Sequence, residues 1–115
     1  MSQLNPVAQK WVEALRSGKY QQAKDYLRRE HGFCCLGVLC DLAQQDGIGK
    51  WNGYCFLGES GETPQSVLNW SKLRNSCGDF AGSSLVEEND AGKTFAEIAD
   101  LIEQHADELF VDGAA

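Results

Sequence analysis

The run from Gly32 to Leu42, GFCCLGVLCDL, constrains this chain more than any other stretch. Phe33, Leu36, Val38, Leu39, Cys40, Leu42 and Ala43 leave almost no polar face, so the element is buried on most sides whatever form it takes. It is the expected central core element. Carried to Gln45 it is about a dozen residues long and stops at Asp46-Gly47, a length that favours helix over strand. Gly37, inside the run, admits a close neighbour because it has no side chain to exclude one.

Three of the five cysteines lie in that run, and the number is odd. The N-terminal stretch MSQLNPVAQKW has no apolar leader core, so a disulfide framework is disfavoured and reduced thiols are expected. No apolar run approaches the roughly 18 to 20 residues that span a bilayer, which gives the expectation of a soluble, cytoplasmic protein with no membrane partner. The formal net charge of −7 opposes direct binding to a nucleic-acid backbone, since that affinity rests on Lys and Arg neutralising phosphates. The same charge suits an acidic surface offered to a basic partner, including an acidic mimic of nucleic acid.

Residues 4–17 read as an amphipathic helix, with Asn5 as N-cap, Pro6 at the first helical position, Leu4, Val7, Trp11 and Leu15 at helical spacing, and Gly18 as terminator. Residues 19–30 keep a weaker period through Tyr20, Ala23 and Leu27, and fit either a short helix or a loop. Residues 48–62 are β-prone at Ile48, Trp51, Tyr54, Phe56 and Leu57 and punctuated by glycines, which predicts a small hairpin or irregular sheet. Thr63 as N-cap and Pro64 at the first position open a further helix ending near Leu73, with Val67, Leu68 and Trp70 on its buried side. Residues 74–93 read as loop with one strand at Ser84 to Glu87. Thr94 and Glu97 form a capping box that opens a helix whose apolar face runs through Phe95, Ile98, Leu101, Ile102, His105 and Leu109 to Phe110. The expected architecture is α+β: one small domain over residues 1–115, with about four helices packed on a small antiparallel sheet or hairpin.

The segments WVEALRSGKY at 11–20, GFCCLGVLCDLA at 32–43 and ENDAGKTFAEIADLIEQHADELF at 88–110 together resemble a family of small phage and prophage proteins. TPQSVLNWSKL at 63–73 is similar to that family's proline-containing helix before its tryptophan. The resemblance spans most of the chain and carries over no catalytic residue. It implies a context: a small accessory protein that acts on the host, by blocking a defence protein or by sequestering a nucleotide signal, in the host cytoplasm.

The sharpest enzymatic reading is a cysteine hydrolase, with Cys34 or Cys35 near a helix N-terminus and His31 or His105 as base. The papain-type neighbourhood is missing, His105 lies on an apolar helix face, and a buried cysteine behaves as a small hydrophobe, so no catalytic residue is assigned. No CxxC occurs among His31, Cys34, Cys35, Cys40, Cys55 and Cys77, and no metal or other cofactor is assigned. Asp79, Glu87, Glu88 and Asp90 lack the spacing of a calcium loop. FAEIADLIEQ resembles the first helix of a helix-turn-helix but is acidic and lacks the turn. No GxxxxGK[ST] or GxGxxG motif is present.

Binding is what remains. Trp51, Tyr54, Phe56 and Trp70 sit among glycine turns, where rigid aromatics serve a pocket or an interface as readily as a core. Arg28 and Arg29, with Lys72 further along, add charge for an anionic ligand. The expected partner is a host protein or a small nucleotide-like ligand, and a homo-oligomer fits the same reading.

Overall fold

In the computed structural model, residues 4–111 are described; the first three residues of the stretch read for a leader lie outside them. The first helix, α1 (Pro6–Arg16), starts as its sequence predicts: Asn5 Oδ1 accepts the Ala8 amide at 2.8 Å and Pro6 needs no amide partner at the first position. Its buried side is Ala8, Trp11, Val12 and Leu15, and Gly18 follows with φ 77°. The Asn5 amide group also donates to Ser71 O at 3.0 Å, fastening the start of α1 to a helix 66 residues away.

Residues 19–27 form an extended, irregular segment, which settles the helix-or-loop alternative. Its backbone groups bond to distant chain: Ala23 N–H to Phe33 O, Leu27 N–H to Ser60 O and, in return, Cys34 N–H to Leu27 O. The segment runs into β1 (Arg28–Arg29), which turns at Glu30-His31 and pairs antiparallel with β2 (Gly32–Phe33) in the register Arg28 to Phe33. Helix α2 (Cys35–Gln45) follows at once, so Phe33 belongs to the hairpin and the core helix begins two residues later. Cys34 caps it, its sulfur accepting the Gly37 amide at 3.4 Å. Cys35, Leu36, Val38, Leu39, Cys40 and Ala43 are buried, as the apolarity of this run requires. Gly37 faces the Leu27 carbonyl so closely that a β-carbon would overlap it, the close neighbour that its glycine suggests.

A second hairpin, β3 (Trp51–Asn52) with β4 (Cys55–Phe56), turns at Gly53-Tyr54 and pairs Trp51 with Phe56. Helix α3 (Gln65–Ser71) corrects the expected cap: Pro64 holds the cap position without a side-chain bond, and the Thr63 hydroxyl donates instead to Ser76 O at 3.0 Å. The helix ends at Lys72, whose φ of 66° is left-handed.

Residues 74–93 depart most from expectation. They hold a third hairpin, β5 (Asp79–Phe80) with β6 (Ser83–Ser84), and then a helix, α4 (Leu85–Asp90), where a single strand is predicted. The reason is local: Ser84 and Glu87 stand at N-cap spacing, and the Ser84 hydroxyl accepts the Glu87 amide at 3.1 Å. Helix α5 (Phe95–Gln104) carries the predicted capping box in full, Glu97 N–H to Thr94 Oγ1 and Thr94 N–H to Glu97 Oε1. The expected unbroken helix to Phe110 is interrupted at His105 (φ −114°, ψ 26°), and α6 (Ala106–Leu109) takes a new direction. The break returns the chain to the end of α3, where Arg74 N–H bonds Leu109 O, Val111 N–H bonds Lys72 O, and Phe110 is buried against Trp11 at 6.3 Å between ring centroids.

The α+β class and the small single domain are as expected; the antiparallel strands are divided among three separate hairpins. The helices pack mainly on each other, α1 against α5 and α2, and α2 against α4 and α3. Asn89 in α4 ties the layers: wholly buried, it accepts from Cys35 N–H at 3.2 Å and from the Gln22 amide at 2.9 Å, and donates to Ala23 O at 2.8 Å. Among the described residues no buried side-chain nitrogen or oxygen lacks a partner. No helix among them is long and apolar enough to cross a membrane.

Candidate functional site

The β1–β2 hairpin presents two adjacent arginines, Arg28 and Arg29. The Arg28 guanidinium stands 5.3 Å from the Trp51 ring centroid and 5.8 Å from that of Phe33, with Nη1 3.4 Å from Gly53 O. The Arg29 guanidinium lies 5.2 Å from the Tyr26 ring centroid, with a loose ion pair to Asp25 at 3.8 Å. A guanidinium stacked on a ring has its orientation fixed by its face and keeps edge N–H donors for an oxyanion.

The ring beneath Arg28 is itself held. Trp51 is half-buried; its indole N–H donates to Asp41 Oδ1 at 3.1 Å and its backbone N–H to Gln44 Oε1 at 2.8 Å. Asp41 also accepts the Tyr20 hydroxyl at 2.7 Å, and burial, together with that bond, pushes the Tyr20 phenol up to about 12. Tyr20, Phe33, Trp51 and Phe56 continue as an aromatic row with centroid spacings of 5.3, 5.8 and 5.0 Å. The row joins the β1–β2 and β3–β4 hairpins to α2 through Asp41 and sets Arg28 on an aromatic base.

Beside this base is a cleft of about 570 Å³. It is lined by Tyr26, Arg28, Arg29, Tyr54 and Ser60, together with the Glu30-His31 turn. Tyr26 and Tyr54 are among the most exposed large apolar side chains, at 49% and 48%. Cations, aromatic faces and a hydroxyl in one concavity are the groups that bind a planar anionic molecule.

Of the residues singled out from sequence, Arg28, Arg29 and Tyr54 therefore meet at one cleft, and Trp51 supports Arg28 from below. Two part from them. Phe56 is completely buried under Trp51 and belongs to the core. Trp70 lies elsewhere, in a small depression with Lys10, Leu42, Gln45 and Asp46, its indole N–H donating to Asp46 at 2.9 Å. Tyr26, Glu30 and Ser60 join the cleft from outside the residues that the sequence singles out for binding, and His31, a candidate base on sequence, lines it too. Tyr26 had a usable signal, a tyrosine two residues before an arginine pair; Ser60 had none, because its place depends on the long-range bond from Leu27 N–H to Ser60 O.

The cysteines behave as packing. Cys34, Cys35 and Cys40 are buried, and desolvation raises each thiol, that of Cys34 to about 11, so desolvation outweighs the helix N-terminus that would favour a thiolate. Cys35 Sγ donates weakly to Leu85 O at 3.6 Å, and His31 lies on the surface. Burial and the raised thiols of Cys34 and Cys35 both disfavour the thiolate form at neutral pH. His105 packs its ring 4.7 Å from that of Phe80. Among the described residues no group of three or more His, Cys, Asp or Glu side chains is placed to hold a metal ion. The acidic residues after Gly78 serve local structure: the Ser83 hydroxyl donates to Glu88 at 2.8 Å, and Asp90 accepts the Asp25 amide at 3.0 Å.

The chain belongs to the family described as Domain of unknown function (DUF8296), whose model matches residues 3–106. No curated protein and no solved structure matches it.

Proposed function

We propose that this member of the DUF8296 family is a non-enzymatic accessory protein of phage type that acts on the host by sequestering a small nucleotide-like ligand in the Arg28–Arg29 cleft. The observation that carries the reading is the pair of aromatic-stacked arginines beside two exposed tyrosines in a chain whose net charge is −7. An acidic surface repels polyanions at long range, so an anion-binding cleft on it suits a small ligand better than a nucleic-acid strand. The phage context rests on the resemblance of the segments at 11–20, 32–43 and 88–110.

In this reading the phosphate takes the guanidinium edges of Arg28 and Arg29, and the base lies against Tyr54 or Tyr26. Stacking on a tyrosine contributes about 1–3 kcal/mol per base, and a charged hydrogen bond about as much. Titrating the protein with nucleoside monophosphates while following intrinsic tyrosine and tryptophan fluorescence tests it. Saturable quenching that Arg29→Ala weakens by about tenfold is expected. Absence of binding by every nucleotide tried would overturn it.

A second reading, docking of a host protein over the cleft, draws on the exposure of Tyr26 and Tyr54. Nucleotide competition separates the two, since only a shared cleft makes them exclusive.

A further inference from the structure

The cleft contains a group that a phosphate site alone would not want. Glu30 lines it beside Arg29, and its carboxylate lies 3.8 Å from the His31 imidazole. A carboxylate near a bound phosphate repels it, so in a shared cleft the two must face opposite ends of the ligand. The end away from the phosphate is the base. A carboxylate accepts only, with two oxygens side by side, and it therefore selects a base edge carrying two adjacent N–H donors. Guanine has that edge in N1–H and the exocyclic N2 amino group. Adenine offers N6–H beside the N1 lone pair, cytosine N4–H beside the N3 and O2 acceptors, and uracil a single N3–H between two carbonyl oxygens, so none presents two adjacent donors and each sets a lone pair against one carboxylate oxygen.

We propose that Glu30 is a specificity residue and that the cleft prefers a guanine nucleotide, with the Glu30 carboxylate accepting from guanine N1–H and N2–H, the base against a cleft tyrosine, and the phosphate on Arg29. This deepens, and rests on, the nucleotide-binding reading above. The positions fit the division of labour. The Arg29 guanidinium lies over the Tyr26 ring, whereas Glu30 stands in the turn after β1 with 71% of its side chain accessible to a ligand. Lack of a firm internal partner is what leaves the carboxylate available, and a cleft of about 570 Å³ is within the range that accommodates a ligand of mononucleotide size.

The experiment is isothermal titration of the full chain with GMP, AMP and inorganic phosphate in parallel, repeated for Glu30→Gln and Arg29→Ala. GMP is expected to bind about tenfold or more tighter than AMP, the discrimination typical of a matched paired contact to one base edge. Glu30→Gln replaces one acceptor with a donor; it should weaken GMP by about tenfold, leave phosphate within about twofold, and leave AMP binding equal to or tighter than in the parent chain, because the amide can pair with adenine N6–H and N1. Arg29→Ala should weaken GMP and AMP alike. Equal binding of GMP and AMP, unaffected by Glu30→Gln, would overturn the guanine assignment and leave the nucleotide reading standing. Binding of neither nucleotide would remove both. Both substitutions lie on exposed side chains, and a thermal melt matched to the parent chain confirms that each variant is folded.

Discussion

Trp51 donates its indole N–H to Asp41 Oδ1 at 3.1 Å, and the ring so fixed is the one on which Arg28 stacks. The carboxylate that orients the cleft's aromatic base thus comes from the polar side of the core helix. The residue that makes GFCCLGVLCDL less than wholly apolar is the one that connects it to the candidate site.

Asp41→Ala should therefore loosen the site and the fold together. It strands the Tyr20 hydroxyl and the Trp51 indole N–H, both partly buried, at an expected cost of about 1–3 kcal/mol in denaturant unfolding. Ultraviolet titration of the tyrosines should show the Tyr20 phenol moving down from about 12, because one of the causes of its elevation is removed while burial remains. An unchanged tyrosine titration would show that Asp41 does not hold this network.

Gly37→Ala should be among the most damaging single-methyl changes. The added carbon would overlap the Leu27 carbonyl, which already accepts from Cys34 N–H, so the loop 19–27 must move off α2. A loss of about 3 kcal/mol or more, or failure to fold, is expected on urea unfolding. Gly47→Ala serves as the comparison: its φ of 80° makes alanine unfavourable, but no atom opposes the new carbon, and about 1 kcal/mol is expected.

The β5–β6 hairpin turns on Ala81-Gly82, both at positive φ, 45° and 80°. That geometry suits Asn-Gly, and an alanine there is strained. Ala81→Asn should raise the unfolding free energy by about 0.5–1 kcal/mol, read from the denaturation midpoint. Destabilisation would contradict the turn assignment.

The buried thiols set an alkaline limit on stability. Cys34 titrates at about 11 in the folded chain against an ordinary 9.0, so between those values the unfolded chain has released a proton that the folded chain still holds. The unfolded state is then favoured increasingly as pH rises, so this contribution is fully present below pH 9.0 and lost through about 11. Cys35 and Cys40 shift the same way. Melting temperatures should fall steeply across that window, and Cys34→Ser should not abolish the fall, because the other two remain. Thiol labelling of the native protein at neutral pH should modify Cys55 and Cys77, which are partly exposed, and spare the other three.

Legibility from the sequence followed the range of the interactions. Helix starts were readable where capping is local, at Asn5 and Thr94, and the core helix was readable from apolarity alone. The Thr63 hydroxyl bonds Ser76, thirteen residues on, a partner that N-cap spacing does not show, and the Ser84–Glu87 cap lies within a glycine- and serine-rich stretch that reads as loop. The break at His105 is invisible in a helical period that continues through it; it follows from the return of Leu109 and Phe110 to α3. At the cleft, Arg28, Arg29 and Tyr54 stood out by type, whereas Phe56 and Trp70 share that type and differ only in burial and place. Aromatics beside glycine turns do not reveal which of them the core will claim.

The proposed binding of a nucleotide at the Arg28–Arg29 cleft is tested most directly by native mass spectrometry of the protein purified from cells that express it, with Arg29→Ala beside it. The expected spectrum has the parent chain carrying a bound species with the mass of a nucleotide, absent or strongly diminished in the variant. A parent chain free of any such species, or one whose bound mass is retained unchanged in Arg29→Ala, would contradict it.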